Sequence, residues 1–274
     1  MKTWKNKWKK LCIAVLSTSF ILGGSGALVS DVQANSSNGT ARNSVTVYLA
    51  GDSTVSNYES HLAPRAGWGQ VFDEMFDDKI IVKNEAVSGR SSKSFIDEGR
   101  LAPILDQIEK GDYLFIQFGH NDEKIEDPTR YTEPYTTYKS HLKQYIDGAR
   151  EKGAIPVLIT PVERRRFTAE GLARDSHGEY PEAMKELGLE ENVPVIDLTA
   201  KSKALFNELG PEGTKKVFLW LDPGVNPNYP NGVQDNTHFQ EEGAKQIARL
   251  VIEGIDESKL YLRNHLAENL LESR

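Results

Sequence analysis

The sequence predicts an α/β fold of three layers, αβα, with a doubly wound parallel sheet of about five strands. Five short apolar runs rich in β-branched residues support this, because each has strand length and is almost continuously apolar, as in strands buried on both faces. Segments with a helical spacing of apolar residues separate the runs, and this alternation is typical of a parallel sheet covered on both sides. Functional groups in such sheets gather in loops beyond the carboxyl ends of the strands.

The predicted elements follow one another along the chain without an internal repeat. Strands are expected at residues 45–50, 80–83, 113–118, 155–160 and 193–198. Helices are expected at residues 68–76, 101–108, 138–152, 183–189 and 240–255. One domain over residues 45–257 accounts for these elements. Residues 258–274 are expected to add a C-terminal helix that packs on the domain, because Leu262, Leu266 and Leu270 recur at four-residue steps, with a dimer contact as the alternative.

Residues 1–34 have the pattern of a signal peptide. Five lysines precede an apolar run over residues 11–22, and small residues then lead to Val32-Gln33-Ala34, a small-x-small cleavage pattern. The run is shorter than the ~20 residues that a spanning helix needs, so an uncleaved anchor is the less favoured alternative. Cleavage is expected before Asn35, followed by a polar linker over residues 35–44, and the protein is expected to be secreted without membrane contact.

The charge and the cysteine content exclude several classes of protein. Removal of residues 1–34 takes away five positive charges and the negative charge of Asp31, so the formal net charge moves from −7 to −11. A protein this acidic does not bind nucleic acid through bulk electrostatics. The only cysteine, Cys12, lies in the segment expected to be removed, so the mature chain has no disulfide, cysteine nucleophile or thiolate metal site.

Three loops at the predicted carboxyl edge carry polar residues. The Gly-Asp-Ser-Thr segment at residues 51–54 directly follows the first strand and presents Ser53 at this edge. The Gly-His-Asn-Asp segment at residues 119–122 ends the third strand, and the loop after the second strand contains Gly89, which can offer an unobstructed backbone N–H. The alternative for Ser53 is a helix cap, since serine often caps a helix that follows a strand.

An acid and an imidazole lie three residues apart near the end of the chain. Asp235 and His238 precede the last predicted helix of the domain, and their spacing lets the carboxylate reach the ring. A carboxylate that fixes the tautomer of a histidine within reach of a serine is the arrangement that acyl transfer needs. Alone, Asp235 fits a turn or cap, and His238 fits a surface position at a helix start. His120 is another candidate base, but only His238 has a carboxylate at this spacing.

Together these segments resemble the SGNH (GDSL-like) hydrolase superfamily from residue 45 to about residue 255, with a Gly-Asp-Ser, a glycine, a Gly-x-Asn-Asp and an Asp-x-x-His block. Gly-Trp-Gly at 67–69, Ser-Gly-Arg-Ser at 88–91 and Asp-Asn-Thr-His-Phe at 235–239 are similar to the rhamnogalacturonan acetylesterases. The resemblance implies a flavodoxin-like fold. It also implies a secreted esterase that removes O-acetyl groups from pectic rhamnogalacturonan, with an acetylated polysaccharide as its partner.

The resemblance implies a role for each matched residue. Ser53 is the nucleophile, His238 is the general base, and Asp235 orients His238. The backbone N–H groups of Ser53 and Gly89 and the side-chain amide of Asn121 form the oxyanion hole. This chemistry requires no metal ion and no organic cofactor.

Five residues are candidate substrate contacts. Arg164, Arg165 and Arg166 follow the fourth strand, and a basic cluster on an acidic protein suits a polymer that carries galacturonate carboxylates. A solvated face is the alternative for these arginines. Arg90 lies next to the oxyanion glycine and either contacts substrate or braces the loop. Trp220 precedes a loop rich in Gly, Pro and Asn, and it either stacks on a sugar or belongs to the core.

Other functions stay open at this point. The esterase could act on another acylated polysaccharide, such as xylan or a wall polymer, or on a small ester. Asp175-Ser176-His177, Gly51-Asp52, Gly119-His120-Asn121 and His238 together have the residue types of a two-metal phosphoesterase. Such sites usually begin with Asp-x-His at the first strand, whereas the Asp-x-His segment here follows the fourth. The aromatic residues suit a non-catalytic carbohydrate-binding protein, but the complete serine, histidine and aspartate set argues against it.

Overall fold

A five-stranded parallel sheet forms the centre of the structure, a computed structural model that describes residues 44–271. The expected signal peptide, and the expected linker up to residue 43, lie outside this range. The strands are β1 (Val45–Gly51), β2 (Arg65–Ala66), β3 (Ile80–Asn84), β4 (Tyr113–Gln117), β5 (Ile155–Ile159), β6 (Val195–Ile196), β7 (Phe218–Leu221) and β8 (Val233–Gln240). The central sheet has the order β3-β1-β4-β5-β6, and each of its pairs is parallel, which confirms the predicted sheet.

Within residues 44–257, helices cover the sheet where the apolar spacing predicts them, with three exceptions. The helices are α1 (Ser92–Asp97), α2 (Leu101–Gln107), α3 (Lys139–Glu151), α4 (Tyr180–Glu191), α5 (Leu198–Gly213), α6 (Glu241–Glu257) and α7 (Glu268–Leu271). The helix predicted at residues 68–76 is wrong, because this segment forms two 3-10 turns, Trp68–Val71 and Asp73–Met75. The sequence pattern missed α1 and α5. Local capping starts both, through Ser91 in a capping box and Asp197 as N-cap.

The two faces of the sheet pack against different helices. Val47 and Leu49 of β1 point to a core that contains α5 and α6, while the alternate residues Tyr48 and Ala50 point to a core that contains α1 to α4. Successive residues of a strand project to opposite faces, so a strand buried on both sides must be apolar throughout. The three layers follow from this alternation.

The strand order creates a crevice at the end of β1. The chain leaves β1 toward β3 on one side and returns to β4 on the other. Loops that follow neighbouring strands diverge at such a reversal, which is where open α/β sheets place their ligands. Residue 53 lies directly beyond β1, so the serine predicted from the sequence lies at this reversal.

A second, antiparallel sheet of order β2-β8-β7 was not predicted. Its longest strand, β8, spans residues 233–240, of which Val233 and Phe239 are the only aliphatic or aromatic members. Apolar alternation is the sequence signal of a strand, and this segment lacks it. Pairing with β2 and β7 fixes the strand instead.

Over its described residues, 258–271, the C-terminal segment does not form the helix predicted for residues 258–274. Helix α6 ends at Glu257, Lys259 has a positive φ of 53°, and residues 261–265 form a 3-10 turn before the short α7. Leu266 makes an isolated antiparallel bridge with Phe76, which holds the backbone extended there. The regularly spaced leucines Leu262, Leu266 and Leu270 are nevertheless buried in the main core, as the packing of this segment on the domain requires.

Candidate active site

Ser53 is held by a tight turn at the end of β1. The Asp52 carboxylate accepts hydrogen bonds from the backbone N–H of Thr54 (2.9 Å) and from its hydroxyl (2.8 Å). The backbone carbonyl of Asp52 accepts the N–H groups of Val55 and Ser56. These bonds fix the backbone of the turn that presents the Ser53 hydroxyl.

A large bulge in β8 carries the other predicted catalytic residues. Phe218 of β7 is opposite Phe239 of β8, while Trp220 is opposite Gln234. Between these two pairs β7 advances by two residues, whereas β8 advances by five. Three residues within 235–238 are therefore extra and form the bulge. Bulges bend a strand and redirect its side chains, and they often occur next to active sites.

Asp235, His238 and Ser53 form one hydrogen-bonded chain. His238 Nδ1 lies 2.6 Å from Asp235 Oδ2, and His238 Nε2 lies 3.0 Å from Ser53 Oγ. Because a carboxylate only accepts hydrogen bonds, Nδ1 carries the proton and Nε2 can accept the proton of the serine hydroxyl. The fold thus brings together residues that are 185 positions apart in sequence.

The pKa of the Asp235 carboxyl is lowered to about 2. Burial is the largest single influence and acts to raise this pKa, but the hydrogen bond and charge of His238 oppose it, together with the backbone N–H groups of His238 and Thr237. Those two N–H groups donate to Oδ1 at 3.0 and 2.8 Å. The carboxylate is therefore ionised at neutral pH and can hold the imidazole in one orientation.

Gly89 lies near the nucleophile because its loop is tied to the end of β1. The N–H of Val87 donates to the carbonyl oxygen of Gly51 over 3.0 Å. Gly89 has a φ of 81°, and a Cβ there would meet no atom within 4 Å, so the backbone angle and not a lack of space favours glycine. Within residues 44–271, the N–H groups of Gly89 and Ser53 make no hydrogen bond to a protein acceptor, so both are free to bind an oxyanion.

Two neighbours fix the orientation of the Asn121 amide. Its Nδ2 donates to the carbonyl oxygen of Arg90 (3.0 Å), and its Oδ1 accepts from Nη1 of Arg130 (3.4 Å). A carbonyl only accepts and a guanidinium only donates, so a flipped amide would lose both bonds. The second N–H of Nδ2 is then left for an oxyanion.

Sequence reasoning missed Arg130. Its Nη1 also donates to the carbonyl oxygen of Gly89 (3.4 Å), and its Nε pairs with Asp127 Oδ2 at 2.5 Å. Both charged residues lie in the loop after β4, where no periodic pattern distinguishes them. The only local signal is an acid three residues before an arginine, which is common on protein surfaces.

His120, the other candidate base, lies against Asp52, whereas His238 is the histidine that contacts the Ser53 hydroxyl. Its Nδ1 lies 3.3 Å from Oδ2 of Asp52, and both side chains are buried. The pKa of His120 is lowered to about 4, and burial of the ring is the largest cause. The charge of Asp52 acts to raise this pKa, whereas the charges of His177 and Arg164 lower it further. The ring is therefore neutral at neutral pH and contacts Asp52 instead of Ser53.

Arg90 braces its own loop, which is one of the two roles expected for it from the sequence, the other being contact with the substrate. Its Nε lies 3.0 Å from Glu98 Oε2, and its Nη1 donates to the carbonyl oxygen of Ser88 (2.9 Å). Arg90 also borders a cavity of about 580 Å³ beside Gly89, together with Lys93. The side chain thus lies at the site while its charge is paired.

Arg164 does not belong to a solvated basic cluster, contrary to the sequence interpretation. It is buried, forms an ion pair with Glu123, and donates to the carbonyl oxygens of Ser176 (3.0 Å) and His120 (3.3 Å). Glu123 also lies 3.2 Å from His177. The guanidinium therefore joins the segment after β5 to the segment after β4 and is not available to a polymer.

Arg165 and Trp220 support the bulge of β8. Both donate to the side-chain oxygen of Asn236, over 3.3 Å from Arg165 and 3.0 Å from Trp220. The Arg165 guanidinium also lies 4.4 Å from the centre of the indole ring. Arg166 is exposed, so of the three arginines it alone fits a solvated face.

Asp175 and His177, which suggested the phosphoesterase alternative, each contact different residues. Asp175 pairs with Lys203 at 2.5 Å, while His177 contacts Glu123 and the carbonyl oxygen of Val162. In the part of the chain that the structure describes, no three His, Asp or Glu side chains converge as a set that could hold a metal ion. Over the same range, no helix has the length and apolar character needed to cross a membrane.

Several known proteins are similar to this chain in sequence, and one solved structure is similar to it in fold. Residues 49–246 match the GDSL-like Lipase/Acylhydrolase family. The chain is 53% identical over 222 residues to the rhamnogalacturonan acetylesterase RhgT of Bacillus subtilis strain 168, which covers 81% of this chain and 94% of the relative. It is 47% identical over 228 residues to the probable rhamnogalacturonan acetylesterase YesY of the same strain, with 83% and 98% covered.

A solved structure agrees with these matches. The crystal structure of YxiM from Bacillus subtilis has a TM-score of 0.69 and 32% identity to this chain, of which it covers 80%. The chain spans 58% of that longer protein. The chain therefore belongs to the GDSL-like lipase/acylhydrolase family, and it is a carboxylic ester hydrolase.

Proposed function

We propose that this protein is a secreted carbohydrate esterase that removes O-acetyl groups from pectic rhamnogalacturonan with a Ser53, His238 and Asp235 triad. The observation that carries the mechanism is the continuous hydrogen-bonded chain from Asp235 Oδ2 through the His238 ring to Ser53 Oγ. The substrate is supported by RhgT, named as a rhamnogalacturonan acetylesterase, and by YesY, named as a probable one, because both match over most of their length.

The first half of the reaction forms an acyl-enzyme. Ser53 Oγ attacks the carbonyl carbon of the acetyl ester while His238 Nε2 takes the hydroxyl proton. The negative charge that develops on the carbonyl oxygen is stabilised by the N–H groups of Ser53 and Gly89 and by Asn121 Nδ2. The carbon–oxygen bond to the sugar then breaks, and His238 returns the proton to the sugar oxygen, which leaves as a hydroxyl.

The second half regenerates the enzyme. Water attacks the acetyl-serine carbonyl while His238 Nε2 takes a proton from it, and the same donors hold the oxyanion. Acetic acid leaves as the proton passes from His238 to Ser53 Oγ, and it ionises to acetate by releasing its own proton to the solvent. The ionised Asp235 stabilises the imidazolium in both halves without becoming protonated.

Acetate release from native acetylated rhamnogalacturonan tests the substrate. The comparison includes acetylxylan and p-nitrophenyl acetate at matched acetyl concentration, with Ser53→Ala as the inactive control. We expect the highest kcat/KM on rhamnogalacturonan. A higher kcat/KM on acetylxylan would replace this substrate by the alternative polysaccharide.

Secretion is supported by the lysine-rich start and the apolar run over residues 11–22. Expression of the full chain in a Gram-positive host, followed by N-terminal sequencing of protein from the medium, tests it. A mature start within a few residues of Asn35 is expected. Protein that stays with the cells and begins at Met1 would overturn the proposal.

A further inference from the structure

Arg65 lies beside the catalytic residues although it is far from most of them in sequence. It forms part of β2, which pairs with the end of β8 through the pairs Arg65 to Gln240 and Ala66 to Phe239. The strand β8 also carries Asp235 and His238. The second sheet thus places an arginine along the edge of the strand that supplies the acid and the base.

A tyrosine connects this arginine to the nucleophile. The Tyr58 hydroxyl donates to the backbone carbonyl of Ser53 over 2.6 Å and accepts from Nη2 of Arg65 over 3.0 Å. The guanidinium also lies over the Tyr58 ring, with its central carbon 4.3 Å from the ring centre. The charge of Arg65 is therefore two hydrogen bonds away from the reacting serine and held by stacking.

The charge of Arg65 is not neutralised by the described part of the protein. No carboxylate of residues 44–271 lies within ion-pair distance of its guanidinium, whereas Arg90, Arg130 and Arg164 each pair with an acid. Its Nε is buried and has no hydrogen-bond partner. The Nε–H group has thus lost water without gaining an acceptor, and the one acceptor that the guanidinium has among the described residues, the Tyr58 hydroxyl, is uncharged. A half-buried cation in this state is stabilised when an anion binds to its remaining N–H groups.

We propose that Arg65, held by Tyr58, binds a uronate carboxylate of the polymer next to the ester that Ser53 attacks. The inference rests on the proposed function, because a galacturonate-containing chain presents a carboxylate close to each acetylated hydroxyl. Guanidinium is the side chain best suited to a carboxylate, since its planar N–H groups match the two oxygens. Arg65 thereby selects acidic over neutral acetylated polymers at the site of the reaction.

The test compares two forms of one substrate. Acetylated rhamnogalacturonan oligosaccharides are used with free carboxyl groups and after methyl esterification of those groups, and kcat/KM for acetate release is measured on both. The wild type should prefer the free acid by about tenfold, the scale of one charge-assisted hydrogen bond at a partly exposed site. Arg65→Met should abolish this preference, mainly through KM, and Arg65→Lys should keep part of it.

Arg249→Met is the matched control, because it removes the same charge from an exposed position on α6 and should leave the preference unchanged. The ratio of the two substrates is the readout, so a general loss of activity in the Arg65 variants does not obscure the result. Equal kcat/KM of the wild type on both forms would overturn the role of Arg65 while the proposed function stands. No acetate release from either form would overturn the proposed function and this inference with it.

Discussion

Arg130 Nη1 lies 3.4 Å from the Asn121 side-chain oxygen and 3.4 Å from the Gly89 carbonyl oxygen. One guanidinium therefore contacts both residues that are expected to complete the oxyanion hole with Ser53. Its own position is fixed by the ion pair with Asp127. The orientation of the Asn121 donor thus depends on a residue that need not touch the substrate.

Replacing Arg130 by methionine should lower kcat by roughly 10- to 100-fold with a smaller change in KM, because a misoriented oxyanion donor acts mainly in the transition state. Kinetics on p-nitrophenyl acetate measure this. The substitution should have little further effect in an Asn121→Ala background, since it acts through that amide. Arg100→Met, which removes a similarly exposed arginine paired with Glu98, is the control. Fully additive losses in the double variant would show that Arg130 does not act through Asn121.

Asn121→Ala should lower kcat by roughly 10² to 10³ with little change in KM, because it removes one donor to the oxyanion. Steady-state kinetics on a soluble acetyl ester separate the two constants. A rise in KM alone would instead make Asn121 a contact of the bound substrate.

Ser53→Ala and His238→Ala should each lower kcat by about 10³ to 10⁶, and the double variant should lose little more, because members of a triad act as a unit. Far-UV circular dichroism of each variant verifies that the fold persists. Turnover near the wild-type rate by folded Ser53→Ala would disprove the nucleophile assignment.

The Asp235 carboxyl should make stability depend on pH in the acid range. Its folded pKa of about 2 lies below the ordinary 3.8, so its stabilising contribution is complete above about pH 4 and is lost as the pH falls through 2. The difference in unfolding free energy between wild type and Asp235→Asn should therefore shrink from pH 4 to pH 2.5. Urea denaturation at several pH values measures it, and a difference that stays constant or grows over this interval would contradict the assigned pKa.

Arg164 and Arg166 should differ sharply in their effect on stability. Arg164→Gln removes a buried cation from the half-buried Glu123 and should cost about 1–3 kcal/mol, the scale for a charged group that loses its partner in a partly buried site. Arg166→Gln changes an exposed side chain and should alter stability by less than about 0.5 kcal/mol. Thermal denaturation of both variants decides, and equal losses would show that the Arg164 contacts contribute nothing.

Periodicity in the sequence predicts the central sheet well because strands buried on both faces must be apolar along their whole length. The same logic fails for β8, because its polar residues Asp235 to His238 form a bulge and lack apolar alternation, while pairing with β2 and β7 defines the strand. The sequence identified the site residues because they are chemically distinctive and come directly after predicted strands or before a predicted helix. It could not predict how they are arranged in space, since their arrangement depends on that bulge.

Contacts between distant segments account for the other differences. Arg164 to Arg166 form a uniform basic run in sequence, yet Glu123 from another loop draws only the first into the interior. Leu262, Leu266 and Leu270 suit a helix by spacing, but an extended residue at Leu266 and a 3-10 turn bury them equally well. A local pattern shows which side chains prefer the interior, but it does not determine the backbone that takes them there.

The bulge of β8 also bears on when the enzyme becomes active. Ser53 follows the first strand of the domain and His238 lies on the last, 185 residues later, so the reactive pair exists only after both ends of the chain have folded together. Contacts between residues so far apart in sequence form late in folding, because the entropy of closing a long loop is lost before the contacts contribute any stabilisation. A nascent or unfolded chain is therefore chemically inert, and recovery of ester hydrolysis during refolding reports completion of the whole domain.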